Sequence, residues 1–373
     1  MRSETGMSPN KQSTSPAGEI PDQEMILSAE LAGMRYVIDT VPGITRKRIK
    51  TGFRYLDKTG KPLKDEAHLK RIKSLAIPPA WEQVWISPWH NSHIQATGRD
   101  IKNRKQYRYH AKWREVRDEV KYERMMNFGL HLPELRRKIE HDLKRPGLCR
   151  EKVLATIVNL LEITMMRIGN EEYARTNKSF GITTLRNKHV QIEGTALEFH
   201  FRGKSKVDHL IKVTHPRLAK IIKSLRDLPG QDLFQYVDEE GTRHSVGSSD
   251  VNEYLQGLTG EHYTAKDFRT WSGTIQAALA LQALGKAESE KDAKKNIVQA
   301  IATAAQKLGN TPTICKKCYI HPVILETYMD GSMFEAEYHK KFGKGMPEPT
   351  LSDVELFILK LLEDKLSAQK PAD

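Results

Sequence analysis

Between Lys266 and Leu281 the chain reads Lys-Asp-Phe-Arg-Thr-Trp-Ser-Gly-Thr-Ile-Gln-Ala-Ala-Leu-Ala-Leu, the start of a helix that is apolar nearly all the way round. A helix without a polar face cannot lie on a surface, so it belongs at the centre of a core with other helices packed around it. The chain therefore contains a mainly α domain large enough to enclose it. The same stretch poses a problem of charge. Arg269 stands near the start of this buried helix, and an unpaired buried guanidinium is costly, so it needs a partner or a ligand.

The surrounding elements follow from hydrophobic spacing. Arg150 to Ile168 carries Val153, Leu154, Ile157, Leu160, Leu161 and Ile163 on a helical period; residues 111–128 and 132–144 are charged amphipathic helices, and 215–228, 249–258 and 292–308 are further ones. Gly169 fits the cap of the 150–168 helix and leaves Arg167 in its last turn, where the helix dipole alone accounts for a cation. Three strand-like runs, 188–192, 197–202 and 207–213, form a small sheet, with Lys204 at the tip of the hairpin around Gly203-Lys204-Ser205. Gly-Lys-Ser is not a phosphate loop here, because that motif needs glycine where Glu198 stands and a helix after the serine.

Residues 25–110 differ in pattern. Short apolar runs at 35–38, 52–55, 84–86 and 93–96 are broken by Gly and Pro, which marks a small β-rich domain, interrupted by one helix with Asp65 as N-cap. Its last segment, Ile101 to Tyr109, interleaves basic and aromatic residues. On a strand Gln106 and Arg108 face one way and Tyr107 and Tyr109 the other. Such a strand suits a nucleic-acid groove, with cations on phosphates and Tyr or Gln reaching sugar and base edges; an edge strand guarded by charges reads equally well. Residues 1–24 have the Ser/Pro/Gly composition of a disordered arm, and 341–373 read as a linker followed by an amphipathic helix over 353–368. The fold class expected is α+β, with 111–340 as the larger domain.

Sixty Lys+Arg against 47 Asp+Glu give a net charge of +13, so a polyanion, nucleic acid first, is the expected partner. No stretch has the apolar length of a membrane span, and the N-terminus lacks a signal-peptide core, which points to the cytoplasm. Three cysteines without export signals do not build a disulfide scaffold. Cys315-Lys-Lys-Cys318 with His321 is half of a zinc pattern without a second ligand pair, so neither a metal nor a cofactor is expected. Tyr319 follows this basic turn. A phenol is a weak nucleophile at neutral pH, and a packed tyrosine is the commoner case; the catalytic reading needs cations such as Arg167, Lys204 and Arg269 to converge on it.

The motifs in series resemble the type IB DNA topoisomerases of the compact bacterial and poxvirus branch. The residues carrying the likeness are Met166-Arg-Ile-Gly-Asn-Glu-Glu-Tyr173, Gly181-Ile-Thr-Thr-Leu-Arg-Asn-Lys-His189, Phe201-Arg-Gly-Lys-Ser-Lys-Val207, Lys266-Asp-Phe-Arg-Thr-Trp271 and Gly309-Asn-Thr-Pro-Thr-Ile-Cys-Lys-Lys-Cys-Tyr-Ile320, with Ile77-Pro-Pro-Ala-Trp81 and Arg104-Lys-Gln-Tyr-Arg-Tyr109 upstream. The resemblance implies a monomeric clamp on duplex DNA: a small mainly β domain, and a mainly α catalytic domain holding a three-stranded sheet. It makes Tyr319 the nucleophile, Arg167 and Arg269 the binders of the scissile phosphate, and Lys204 the general acid. Asn310 stands where poxvirus enzymes carry histidine, as in bacterial relatives. It also implies DNA contacts from Arg104, Gln106, Tyr107, Tyr109, Tyr173 and Thr184, and DNA relaxation without ATP or metal. The tyrosine recombinases share this chemistry, and a basic DNA-binding protein without catalysis is the remaining alternative.

Overall fold

The computed structural model describes residues 26, 29–30, 32–101, 103–334 and 352–369, with the backbone alone for 114–123 and 365–369. The arm expected over 1–24 and the linker expected after 340 lie outside these residues. The chain divides into two compact units, Met1–Lys121 and Tyr122–Asp373.

The first unit is built on an antiparallel sheet of five strands in the order β2-β1-β3-β4-β5: β1 (Ile44–Ile49), β2 (Gly52–Leu56), β3 (Glu82–Ile86), β4 (Ile94–Arg99) and β5 (Lys105–Tyr109). Helix α1 (Glu66–Ser74) covers it, starting where the Asp65 carboxylate accepts the His68 N–H at 2.8 Å. Ile72 of α1 joins Ile44, Val84, Ile86 and Ala96 in a small core. Sequence reasoning missed β1. Beyond Ile44 its side chains are mostly basic and largely exposed, so it has no apolar alternation; backbone pairing with β2 defines it. The run at 35–38, expected as a strand, makes only a single bridge between Arg35 and Ser92.

The boundary between the units falls within α2 (Ala111–Asp142), one helix where two were expected. Gly129 lies in the helix at a close contact: a Cβ there would lie 2.5 Å from the Trp271 ring. Pro133 inside the helix removes a single donor. The second unit continues through α3 (Arg150–Thr164) and α4 (Glu171–Asn177) to the expected three-stranded antiparallel sheet of β6 (Val190–Glu193), β7 (Ala196–Arg202) and β8 (Asp208–Thr214). Then come α5 (Pro216–Arg226), the short hairpin of β9 (Gln235–Val237) and β10 (Arg243–Ser245), and α6 (Ser248–Thr259). The chain closes with α7 (Ala265–Leu284), α8 (Glu290–Leu308), α9 (Pro312–Cys318), α10 (Pro322–Met329) and α11 (Asp353–Gln369). The architecture is α+β.

The apolar helix is α7, and it is central as its sequence demands. Phe268, Trp271, Ile275, Ala277, Ala278 and Leu281 are buried in one continuous core shared with α2, α3, α8 and α11. A capping box starts it: Asp267 Oδ2 accepts the Thr264 N–H at 2.8 Å, and Thr264 Oγ1 accepts from Lys266 N. The terminal helix belongs to this core. Glu355 accepts the Trp271 indole N–H at 3.0 Å and an Arg136 N–H at 2.8 Å, while Phe357, Ile358, Leu361 and Leu362 are buried.

Candidate active site

The site assembles where two helices end. Helix α3 stops earlier than its spacing predicted, because Met165 turns left-handed at φ 55°, and Arg167 lies beyond the helix, not in its last turn. The dipole of α3 therefore does not explain Arg167. Its segment is fixed by a return pairing: Ile182 N–H donates to Arg167 O at 2.8 Å and Thr183 N–H to Ile168 O at 2.7 Å. Gly169 at φ 107° and Gly181 let these backbones touch, since a Cβ on Gly181 would sit 2.6 Å from Arg167 O.

The second helix end is that of α8. Gly309 caps it at φ 58°, leaving its last carbonyls without partners in the helix. Two guanidiniums supply them. Arg269 Nη2 donates to Leu308 O at 2.8 Å, and Arg167 Nη2 donates to Gly309 O at 3.0 Å. Arg269 Nη1 also donates to Met165 O at the end of α3, and Arg167 Nη2 to Asn310 Oδ1. The negative ends of two helix dipoles thus hold two like charges side by side. Arg269 is only 4% exposed, and neither arginine pairs with a carboxylate among the described residues. Burial holds both guanidiniums below the ordinary arginine pKa; Arg167 adds to this at Arg269, and the Tyr319 phenol opposes it at both. Two buried donors, Arg269 Nε and Asn310 Nδ2, have no partner among the described residues. Such an arrangement calls for an anion.

Tyr319 lies beside this pair, with Arg269 Cζ 5.3 Å from its ring centroid. Pro312 opens α9 at a position where its missing N–H costs nothing; Thr311 caps it and Tyr319 ends it. The half-buried ring is set by α7. Thr274 Oγ1 donates to Tyr319 O at 3.3 Å, and Gly273 lets the Tyr319 backbone approach so closely that a Cβ would meet it at 2.5 Å. Cys315 is buried, and burial pushes its thiol up to about 11, so it is an inert packing group.

Lys204 stands exposed in the turn between β7 and β8, with Ser205 and Lys206 both at φ 63°. No hydrogen bond or ion pair holds its amine among the described residues. The structure thus joins Arg167, Arg269, Asn310 and Tyr319 directly, while no contact among the described residues links Lys204 to them. Sequence reasoning missed Gly273 and also His209, whose ring lies against Gly203 and Gly309. The fixed two-residue period of β8 facing Phe201 was the only signal for the latter.

The other expected contact residues lie elsewhere. β5 is an edge strand on which Tyr107 and Tyr109 stack at 5.8 Å, on one face as the alternation required. Arg104 bonds Asp100 at 2.6 Å, and Gln106 Nε2 donates to the same carboxylate at 3.0 Å. Tyr173 is exposed on α4, whose cap Asn170 accepts the Tyr173 N–H at 3.0 Å. The Thr184 hydroxyl is engaged with Gly181, accepting from its N–H at 2.9 Å.

Fold and site together define an α+β protein with a phenol beside two adjacent guanidiniums, one buried and one half-buried. Residues 110–344 match the family described as eukaryotic DNA topoisomerase I, catalytic core, and residues 52–100 match the bacterial DNA topoisomerase IB N-terminal domain. DNA topoisomerase 1B of Acanthamoeba polyphaga mimivirus is 36% identical over 277 residues, spanning 72% of this chain and 82% of that protein. DNA topoisomerase 1B of Vaccinia virus (strain Copenhagen) is 25% identical over 274 residues, with the same coverage of 72% and 82%. The chain belongs to the type IB DNA topoisomerase family.

Proposed function

We propose that this type IB topoisomerase relaxes supercoiled duplex DNA by transient cleavage of one strand through Tyr319. The observation that carries the assignment is a pair of guanidiniums, Arg269 buried and Arg167 half-buried, balanced by no carboxylate among the described residues and flanked by the unpartnered Arg269 Nε and Asn310 Nδ2 donors. A phosphodiester supplies the missing anion. The Tyr319 oxygen attacks phosphorus and loses its proton to water; a phosphotyrosyl ester forms at the 3′ side and the bond to the 5′ oxygen breaks. Charge gathering on the nonbridging oxygens is met by forked hydrogen bonds from Arg167 and Arg269 and by the Asn310 amide. Lys204 gives the departing 5′ oxygen its proton. The ester retains the bond energy, so the nick swivels and reseals without ATP, and the guanidiniums take the place a metal has elsewhere.

In this reading residues 25–110 hold the duplex along the β5 edge, with Arg104 and Gln106 contributing from one side of the strand and Tyr107 and Tyr109 from the other. Tyr173 and Thr184 add contacts from the 111–340 portion, and the protein works as a monomeric clamp on DNA in the cytoplasm or nucleoid. Among the described residues no helix is long and apolar enough to cross a membrane. Family membership does not favour a recombinase or a purely architectural protein. Supercoiled plasmid in EDTA without nucleotide tests the proposal: catalytic relaxation is expected. Binding without relaxation indicates an architectural protein, and activity confined to special sites indicates a recombinase.

A further inference from the structure

His209 occupies a position that the proposed chemistry does not use. It stands on β8 opposite Phe201, with the two rings stacked at 5.2 Å and 20°. Its edges meet two glycines: a Cβ on Gly203 would lie 2.6 Å from His209 Cδ2, and a Cβ on Gly309 would lie 2.6 Å from His209 Cε1. Gly309 needs glycine for its left-handed backbone as well, but Gly203 has φ −94°, which any residue adopts. The tight approach of the imidazole is therefore the constraint on Gly203. Gly203 opens the turn that carries Lys204, closed by the Gly203 N–H donating to Val207 O at 2.7 Å. Gly309 supplies the carbonyl that holds Arg167 and precedes Asn310. The imidazole is a spacer between the two. Burial, then the charges of Arg167 and Arg269, hold it below its ordinary pKa.

We propose that His209 is a positioning residue that sets the Lys204 turn at a fixed distance from the Arg167–Asn310 corner, so that the lysine reaches the scissile phosphate. The inference rests on Lys204 taking part in the reaction. Ser205 and Lys206 give the turn its left-handed backbone, and among the described residues no hydrogen bond or ion pair ties it to the α8 end. Truncating the ring removes the spacer.

The test is a double-mutant cycle on single-turnover cleavage by the full chain. His209→Ala is expected to slow cleavage about 10-fold to 100-fold, the scale of a misplaced reacting group. In a Lys204→Ala background the same substitution should slow it by less than about twofold. Gly203→Ala, whose methyl group displaces the ring, should show the same non-additivity, which covers the case of a misfolded His209→Ala. His209→Phe, which keeps a flat ring on Phe201, should recover most of the rate. Multiplying defects in the cycle overturn the proposal, as does a His209→Ala enzyme of wild-type speed. A substrate with a 5′-sulfur leaving group then separates the underlying reading. Rescue of both His209→Ala and Lys204→Ala supports lysine as the acid; a non-additive cycle without sulfur rescue removes the acid role and leaves the positioning role standing.

Discussion

Arg167 donates to the side-chain oxygen of Asn310, and this fixes which way the amide points. A guanidinium has no acceptor, so the oxygen must face it and the NH2 must face away. That NH2 is buried without a partner among the described residues. Asn310 is thus presented as a neutral hydrogen-bond donor by the arginine that the proposed reaction places on the phosphate.

Asn310→Ala should lose about 10² to 10³ in cleavage rate, or about 3 kcal/mol, the usual cost of one donor to a developing oxyanion. DNA affinity should change little, because the bond tightens mainly in the transition state. Asn310→Asp keeps an acceptor for Arg167 but supplies no donor and adds a negative charge, so it should be at least as slow. Asn310→His restores a donor and should retain much of the activity. Single-turnover cleavage beside a filter-binding isotherm checks the series; an alanine enzyme as fast as the parent would mean that Asn310 only shapes the turn before Pro312.

Gly273→Ala addresses how Tyr319 is held. In a helix interior alanine is normally favoured over glycine by up to about 1 kcal/mol. Here the methyl group would meet Tyr319 O at 2.5 Å and Tyr319 Cβ at 2.9 Å, so the tyrosine must move. The expected outcome is a folded protein with nearly unchanged circular dichroism and cleavage slowed by about 10². Unchanged cleavage would show that α7 does not set the tyrosine.

The Met1–Lys121 unit should weaken in mild acid. His93 is 3% exposed, stacks on Tyr36 at 4.0 Å and accepts the Val37 N–H on Nδ1 at 3.0 Å. Burial lowers its pKa from 6.5 to about 4, against a smaller opposing effect of its backbone bond to Arg35. The unfolded chain therefore binds this proton first. Stability is complete above pH 6.5 and falls as pH drops towards about 4, by an amount on the order of 3 kcal/mol. Thermal unfolding from pH 7 to 4 should show the slope, and His93→Phe should flatten the part due to this unit; an equal slope in both proteins assigns the acid sensitivity to other groups.

Much of this was legible in the sequence because it follows from periodicity. The buried α7 helix announced both the α domain and the problem of Arg269, and the hairpin around Lys204 was plain from its flanking strands. What stayed hidden depends on contacts between distant segments. Met165 ends α3 early through its left-handed backbone, which no propensity signals, so Arg167 was placed against the wrong helix dipole; the α8 end, more than a hundred residues on, is the one that holds it. The single helix α2 was read as two, over 111–128 and 132–144, because the Trp271 ring that packs on Gly129 is remote in sequence. β1 was missed because only Ile44 of it enters the core, and a strand otherwise defined by backbone pairing carries no apolar alternation.

The central claim is that the Tyr319 oxygen becomes covalently bound to DNA. Denaturing the protein during reaction with a duplex, digesting it and locating the nucleotide-bearing peptide by mass spectrometry tests this directly. The modification is predicted on Tyr319, on a 3′ phosphate, and it should vanish in Tyr319→Phe while that variant still binds DNA. An adduct on another residue, or a Tyr319→Phe protein that still relaxes plasmid at the parental rate, would contradict the account.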